Sequence, residues 1–325
     1  MTAPGPRPGV LAAYPPVVAM ARWVPLGSGG GFSGARVWHG RTAPGGELGL
    51  KAHAPGADPG RLERVHQWML TARSVGLAFV PRVESTRDGR TVVEAGGRVW
   101  DVTEWMPGRA EFHAKPTAAR LFAAVEAVAR LHEAWSRIAP PGPVTCPAIE
   151  RRWRALGEWD RLVAAGWRPR TAPDEPVAPH VEAAWDRLPE LVGRAEAALV
   201  PWLHVSVPVQ PCLCDVWHDH VLFTGDRVTG LIDYGAAKID HVAADLARLL
   251  GSLIPGEPAR MAMAVQAYQE LRPLPQPELV ELLDWTGAVV GLTNWLRWLY
   301  HDGRTYPDRN AVAARVADLV RRLSP

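Results

Sequence analysis

At 325 residues and a formal net charge of +2, the chain is long enough for two lobes with separate cores. It is too nearly neutral to suggest a nucleic-acid or acidic-membrane binder. The hydrophobic fraction of 47% and charged fraction of 22% are those of a soluble globular protein, and no window reaches the ~20 apolar residues of a membrane span.

Residues 1–21 read as a proline-rich arm in which Pro15 and Pro16 interrupt an apolar stretch; with no basic n-region, no signal peptide is expected. From Arg22 the pattern becomes short strands and glycine turns. "RWVPLGSGGGFSGARVWHG" predicts strand, turn, strand, and "LGLKAH" a third strand. "ADPGRLERVHQWMLTARSVG" has helical spacing, with Asp58 as N-cap and Pro59 just inside. "GRTVVEAGGRVWDVTEW" predicts a hairpin turning at Gly96-Gly97. Past a hinge at Glu104–Gly108 the texture turns helical, beginning with a helix on which Leu121, Val125, Val128 and Leu131 recur at three- and four-residue steps. One small hairpin, "HVLFTG" and "VTGLIDYG", interrupts the later helices. The expected organisation is an arm (1–21), a β-rich lobe with one main helix (22–106) and a larger helical lobe (107–325).

The glycines of "GGGFSG" (Gly29, Gly30, Gly31 and Gly34) fit a G-x-G-x-x-G spacing. A dinucleotide-binding unit would need a helix next, and strand-like "ARVWHG" follows instead; a P-loop would need Gly-Lys-Ser/Thr. A hairpin whose backbone amides approach nucleotide phosphates survives, beside a plain surface turn. Lysine is scarce, occurring only at 51, 115 and 238, so Lys51 on the next strand stands out. There a lysine can pair α- and β-phosphates, and Glu63 on the following helix is its candidate acidic partner, with His66 in reserve.

"CLCDVWHDHVLF", residues 212–223, places Asp215 in a loop and His220 directly before a strand; "LIDYG" then brings Asp233 on the second arm of the hairpin. Phosphoryl transfer needs one carboxylate to orient or deprotonate the acceptor hydroxyl, and a second carboxylate with a loop ligand for metal. Asp215 suits the first role, Asp233 the second, and His220 the ligand position. A zinc site built on Cys212, Cys214, His218 and His220 is the competing reading, but the cysteine pair lies on the other side of Asp215 from the two histidines; a zinc ribbon would need a second cysteine pair that does not exist. A nucleophilic thiol at Cys214 is a further alternative. With only Cys146 besides, no disulfide framework is expected, and a cytoplasmic, reducing setting follows.

Taken together, Leu213-Cys214-Asp215, the run Val216 to His220, Val221-Leu222-Phe223, Ile232-Asp233-Tyr234-Gly235 and Asp245-Leu246-Ala247 resemble the aminoglycoside phosphotransferase family, related to choline kinases. The resemblance implies an α+β, two-lobed protein-kinase-like fold. Its small β-rich N-lobe has one main helix, and its larger helical C-lobe carries a catalytic β-hairpin. It implies a kinase that moves the γ-phosphate of ATP, with Mg2+, to a hydroxyl of a metabolite or aminoglycoside-like acceptor. Asp215 would be catalytic; Gly29, Gly30, Gly31, Gly34, Lys51, Glu63, Glu104 and Met106 would bind nucleotide; His220 and Asp233 would hold metal. Two departures mark this chain. Leu213-Cys214 replaces the family's His-Gly, and His220 replaces an asparagine. An imidazole is a softer ligand than an amide oxygen, so the expected outcomes are one magnesium held mainly by Asp233, a preference for Mn2+, or a weak site. The alternative is a pseudokinase that binds nucleotide without transfer.

The 15 tryptophans against 5 each of Tyr and Phe suggest an aromatic acceptor wall or simply core packing. Trp217 and His218 near the catalytic loop, and Trp285, Trp295 and Trp298 on one helix, are the candidates.

Overall fold

Two compact units divide the chain: Met1–Ile138 with Asp215–Lys238, and Ala139–Cys214 with Ile239–Pro325. The structure, a computed structural model, describes residues 5–27, 34–138, 142–172 and 174–324. The first unit opens with two short helices, α1 (Pro8–Ala12) and α2 (Pro16–Ala19), each with proline in its opening turn, where the missing N–H costs nothing. Val10, Tyr14 and Val18 recur every four residues and bury against the sheet. Residues 8–19 are therefore packed rather than a loose arm, because Val10, Tyr14 and Val18 share one face.

Strands β1 (Arg22–Gly27), β2 (Arg36–Arg41) and β3 (Glu47–Ala52) precede helix α3 (Pro59–Ser74); β4 (Val93–Ala95) and β5 (Arg98–Glu104) follow it. They form one antiparallel sheet in the order β1-β2-β3-β5-β4. Trp38, Leu48, Leu50, Ala52, Trp100 and Val102 alternate onto its buried face, with Trp38 and Trp100 stacked at 5.3 Å. Gly96 and Gly97 turn the β4–β5 hairpin with φ of +59° and +71°, conformations that side chains resist. The Asp58 carboxylate accepts from Gly60 N at 2.9 Å and caps α3 as its sequence predicts. Helix α4 (Ala118–Ser136), capped by Thr117, buries Leu121, Val125, Val128 and Leu131. The Trp135 indole N–H donates to the Trp68 carbonyl at 2.8 Å, tying α4 to α3.

The chain then enters the second unit through β6 (Val144–Thr145), α5 (Pro147–Ala164), α6 (Ala178–Trp185), α7 (Leu188–Leu199), β7 (Ser206–Val207) and β8 (Gln210–Cys212). It returns to the first for the hairpin β9 (Val221–Thr224) and β10 (Arg227–Leu231). Phe223 exchanges both backbone hydrogen bonds with Arg109, at 3.0 and 2.9 Å. Arg120, only 2% exposed, donates to the Gly225 carbonyl at 2.7 Å and to Glu111 at 2.8 Å, fastening the hairpin turn to α4. A strand β11 (Lys238–Asp240) leads to the last four helices, α8 (Ala243–Leu253), α9 (Pro258–Leu271), α10 (Glu278–Tyr300) and α11 (Arg309–Arg322). In the second unit α10 is apolar around most of its circumference because it packs on α5, α7, α8 and α11 at once. No helix among the described residues is long and apolar enough to cross a membrane.

Candidate active site

Strand alternation puts Leu50 and Ala52 into the core of the first unit, so Lys51 between them projects from the opposite face. Its ammonium meets Asp233 Oδ1 at 2.7 Å. Asp233 follows β10 at φ +59°, a left-handed backbone that aspartate tolerates better than most residues and that often marks a working site. The same oxygen accepts from Gly235 N at 3.3 Å. Burial opposes the ionised carboxylate, yet Lys51 beside it holds the carboxyl below the usual range. Solvent still reaches 42% of the Asp233 side chain, so the pair is screened and its net contribution to stability is small.

The helix contributes a different residue from the one the sequence suggests. Arg61 of α3 donates to the Gly235 carbonyl at 2.6 Å and to that of Ala237 at 3.3 Å, gripping the loop that carries Asp233. Glu63 lies two residues on, roughly 200° around the helix, and therefore faces away. It pairs with Arg90 at 3.0 Å, not with Lys51. His66, the reserve partner, is buried; its ring lies 3.3 Å from Asp101 and 2.9 Å from Thr91 Oγ1.

Asp215 and His220 bracket a short loop. His220 Nδ1 lies 2.7 Å from the Asp215 carbonyl, and the Trp217 indole N–H donates to His220 Nε2 at 3.0 Å. The His220 carbonyl accepts from Ile232 N at 3.0 Å, so one residue touches the backbone on both sides of the site. Asp233 Oδ2 is 4.0 Å from His220 Nε2, beyond hydrogen-bond reach. That carboxylate oxygen is a hard donor of the kind Mg2+ takes, so the residues present fit a divalent cation through Asp233. His220 sits beside it, but the lone pair that coordination requires is engaged by Trp217. Trp217 and His218 stack edge to face at 4.6 Å, and His218 meets His113 at 4.6 Å.

In the second unit, the wholly buried Asp245 accepts from Leu213 N at 2.7 Å and Cys214 N at 2.6 Å, fixing the two residues that precede Asp215 in the chain. Cys214 takes φ +61°, the backbone that glycine would adopt without strain, and its thiol reaches Asp240 Oδ2 at 3.8 Å. Asp240, also wholly buried, accepts from Ala148 N at 3.0 Å and pairs with Arg151. Burial pushes the Cys212 thiol well above its ordinary range, so it serves as a small core residue.

Gly29, Gly30 and Gly31 lie outside the described residues. Gly34, with φ +75°, has its carbonyl bound by Arg98 at 3.0 Å. Glu104 accepts from Arg82 N at 3.2 Å and lies 3.6 Å from Arg73, and Met106 is buried. The three tryptophans of α10 face partners within their own unit. Arg194 lies over Trp285 at 5.4 Å and Arg304 over Trp298 at 4.8 Å, and buried Trp295 packs between Trp298 and Tyr306. Sequence reasoning missed Arg61, Asp240 and the supporting role of Asp245. Only Asp245 carried a signal, its Asp-Leu-Ala context.

A β-sheet carrying a lysine that meets a carboxylate beyond a short hairpin is a protein-kinase-like arrangement, and solved structures share the whole fold. An aminoglycoside phosphotransferase from Alicyclobacillus acidocaldarius matches with a TM-score of 0.65 at 18% identity, over 99% of this chain and 94% of that one. A choline/ethanolamine kinase family protein from Mesorhizobium loti matches with a TM-score of 0.64 at 19% identity, over 98% and 94%. The α+β, protein-kinase-like fold expected from the sequence is thus the fold observed. Residues 25–291 match the phosphotransferase enzyme family, and the chain belongs to that family. A homoserine kinase from Rhodopseudomonas palustris is 27% identical over 173 residues, which are 53% of this chain and 46% of that one. The chain spans about half the length of the curated relatives it matches.

Proposed function

We propose that the chain is an ATP-dependent kinase that phosphorylates the hydroxyl of a small amino alcohol. The observation that carries this reading is the 2.7 Å pairing of Lys51 with Asp233, two positions whose chemistry phosphoryl transfer uses together. Lys51 meets the α- and β-phosphates of ATP. Asp233 would hold Mg2+, and the bound ion would supply charge neutralisation on the phosphates. Glu104 and Met106 lie beside the base. Asp215 orients the acceptor hydroxyl and takes its proton as the new O–P bond forms. The bond from the γ-phosphorus to the bridging oxygen breaks, and its electron pair leaves with ADP. Residues 22–106 serve as the nucleotide lobe and 107–325 as the acceptor lobe.

The acceptor class is supported by the relatives. Homoserine kinase and the choline/ethanolamine kinase family both carry names of substrates that combine a hydroxyl with an amine or ammonium group. The test is ADP release with Mg2+-ATP across homoserine, ethanolamine, choline, an aminopropanol and an aminoglycoside. Turnover on an amino alcohol supports the proposal. Nucleotide binding without turnover on any of them favours a nucleotide-binding protein that performs no transfer.

A further inference from the structure

The ring of His220 has both nitrogens assigned by their partners. A carbonyl oxygen only accepts, so the 2.7 Å contact with the Asp215 carbonyl places a hydrogen on Nδ1. An indole N–H only donates, so the 3.0 Å contact from Trp217 requires a bare Nε2. Together they select one state, the neutral ring protonated at Nδ1. The only lone pair that could bind metal is the one Trp217 occupies. Meanwhile the His220 main chain accepts from Ile232, the residue before Asp233.

We propose that Trp217 and His220 form a positioning pair that joins the Asp215 loop to the Asp233 loop, and that Trp217 keeps His220 out of the metal's ligand set. The metal is then held by oxygen alone. The swap of an amide for an imidazole does not produce a nitrogen-ligated site, because a tryptophan three residues earlier in the chain supplies the donor that uses up the nitrogen. Trp217 is thereby a determinant of metal preference: without it, a bare Nε2 would stand 4.0 Å from Asp233 Oδ2 and complete a nitrogen–oxygen pair suited to softer ions. This consequence rests on the kinase reading; the hydrogen-bond assignment does not.

Two measurements separate them. Long-range 1H–15N spectra of the free wild-type protein, with the His220 signals identified by their loss in His220→Gln, report the tautomer directly. The expected result is an Nδ1-protonated ring. An Nε2-protonated ring or a mixture of the two overturns the proposal. The tautomer is read on the wild type, so the one variant involved serves only to identify the signals. Binding of a non-hydrolysable ATP analogue with Mn2+ or with Mg2+ is then compared by calorimetry in wild type and Trp217→Phe. The variant should raise the preference for Mn2+ over Mg2+ by roughly tenfold, the scale on which groups behind a metal ligand act. An unchanged preference overturns the role given to Trp217. Absence of nucleotide binding in the wild type counts against the kinase reading, and the spectra alone then decide the pairing.

Discussion

Lys51 and Asp233 stand 182 residues apart in the chain and 2.7 Å apart in space. The contact brings a strand of the sheet to the loop beyond the β9–β10 hairpin. Lys51→Ala should abolish most of the thermal stabilisation that ATP with Mg2+ gives the wild type. A variant that keeps the full shift would remove Lys51 from the nucleotide site.

The same pair sets a pH dependence. Burial raises the Asp233 carboxyl, but the charge and hydrogen bond of Lys51, helped by its other neighbours such as the Gly235 N–H, hold it below the usual carboxylate range. A depressed carboxylate stabilises the fold above its unfolded pKa and loses that contribution as pH falls through the folded value. The stability gap between wild type and Lys51→Met should therefore be present near about pH 7 and close as Asp233 protonates in the range below about pH 4. Thermal melts across that range check it. A gap that widens in acid contradicts the assignment.

The two aspartates of the site should fail differently. Asp215→Asn is expected to lower transfer by about 10²–10⁴-fold while leaving metal-nucleotide affinity nearly intact, the signature of a lost proton acceptor. Asp233→Asn should weaken nucleotide binding itself, and only in the presence of divalent metal. Calorimetry beside ADP-release rates distinguishes them, and identical losses in both assays would reject this division of roles.

Asp245 holds Leu213 and Cys214 through two charged hydrogen bonds to backbone, with no solvent contact. Asp245→Ala leaves two buried N–H groups without their carboxylate and should cost about 3 kcal/mol of stability. Asp245→Asn keeps one acceptor oxygen and should cost less. Denaturant melts rank the two; equal stability of Asp245→Ala and wild type would show the contacts to be incidental.

Cys214 is the remaining departure from the family's pattern, and its backbone is the one glycine favours. Cys214→Gly removes the strain of a β-carbon at φ +61° and should raise stability by about 1 kcal/mol, less whatever the thiol contact with Asp240 supplies. Cys214→Ala keeps the strain and loses the contact, so it should be the less stable of the two. Chemical denaturation of both variants gives the comparison.

Much of this was legible in the sequence because it depends on local pattern. The strand of Lys51, the cap at Asp58, the Gly96-Gly97 turn and the hairpin before Asp233 all follow from spacing and turn chemistry. The partners did not follow, because they depend on which way a helix is rotated. Glu63 and Arg61 differ by two positions, and nothing in the string of letters says which of them faces the Asp233 loop. The partners of the His220 ring were hidden for a related reason. Its place in the loop was readable, but the direction of its lone pair is set by an indole whose orientation only the folded loop defines. The burial of Val10, Tyr14 and Val18 was present as a four-residue rhythm, masked by the surrounding prolines.

The excursion of residues 215–238 out of one compact unit and into the other has a consequence for biosynthesis. Arg120 emerges from the ribosome about a hundred residues before Gly225 and Asp226, which accept from its guanidinium alongside Glu111. Lys51 waits longer still for Asp233, and Leu213 and Cys214 wait for Asp245. Neither unit can close while the chain is still being made in order: the first lacks its hairpin until residue 238 is out, and the second is interrupted until then. Such long sequence separations slow folding and prolong exposure of apolar surface. Nascent chains halted between residues 138 and 238 should therefore be the form of this protein most dependent on chaperones, and cutting the gene at residue 138 should yield an insoluble fragment rather than a free nucleotide-binding domain.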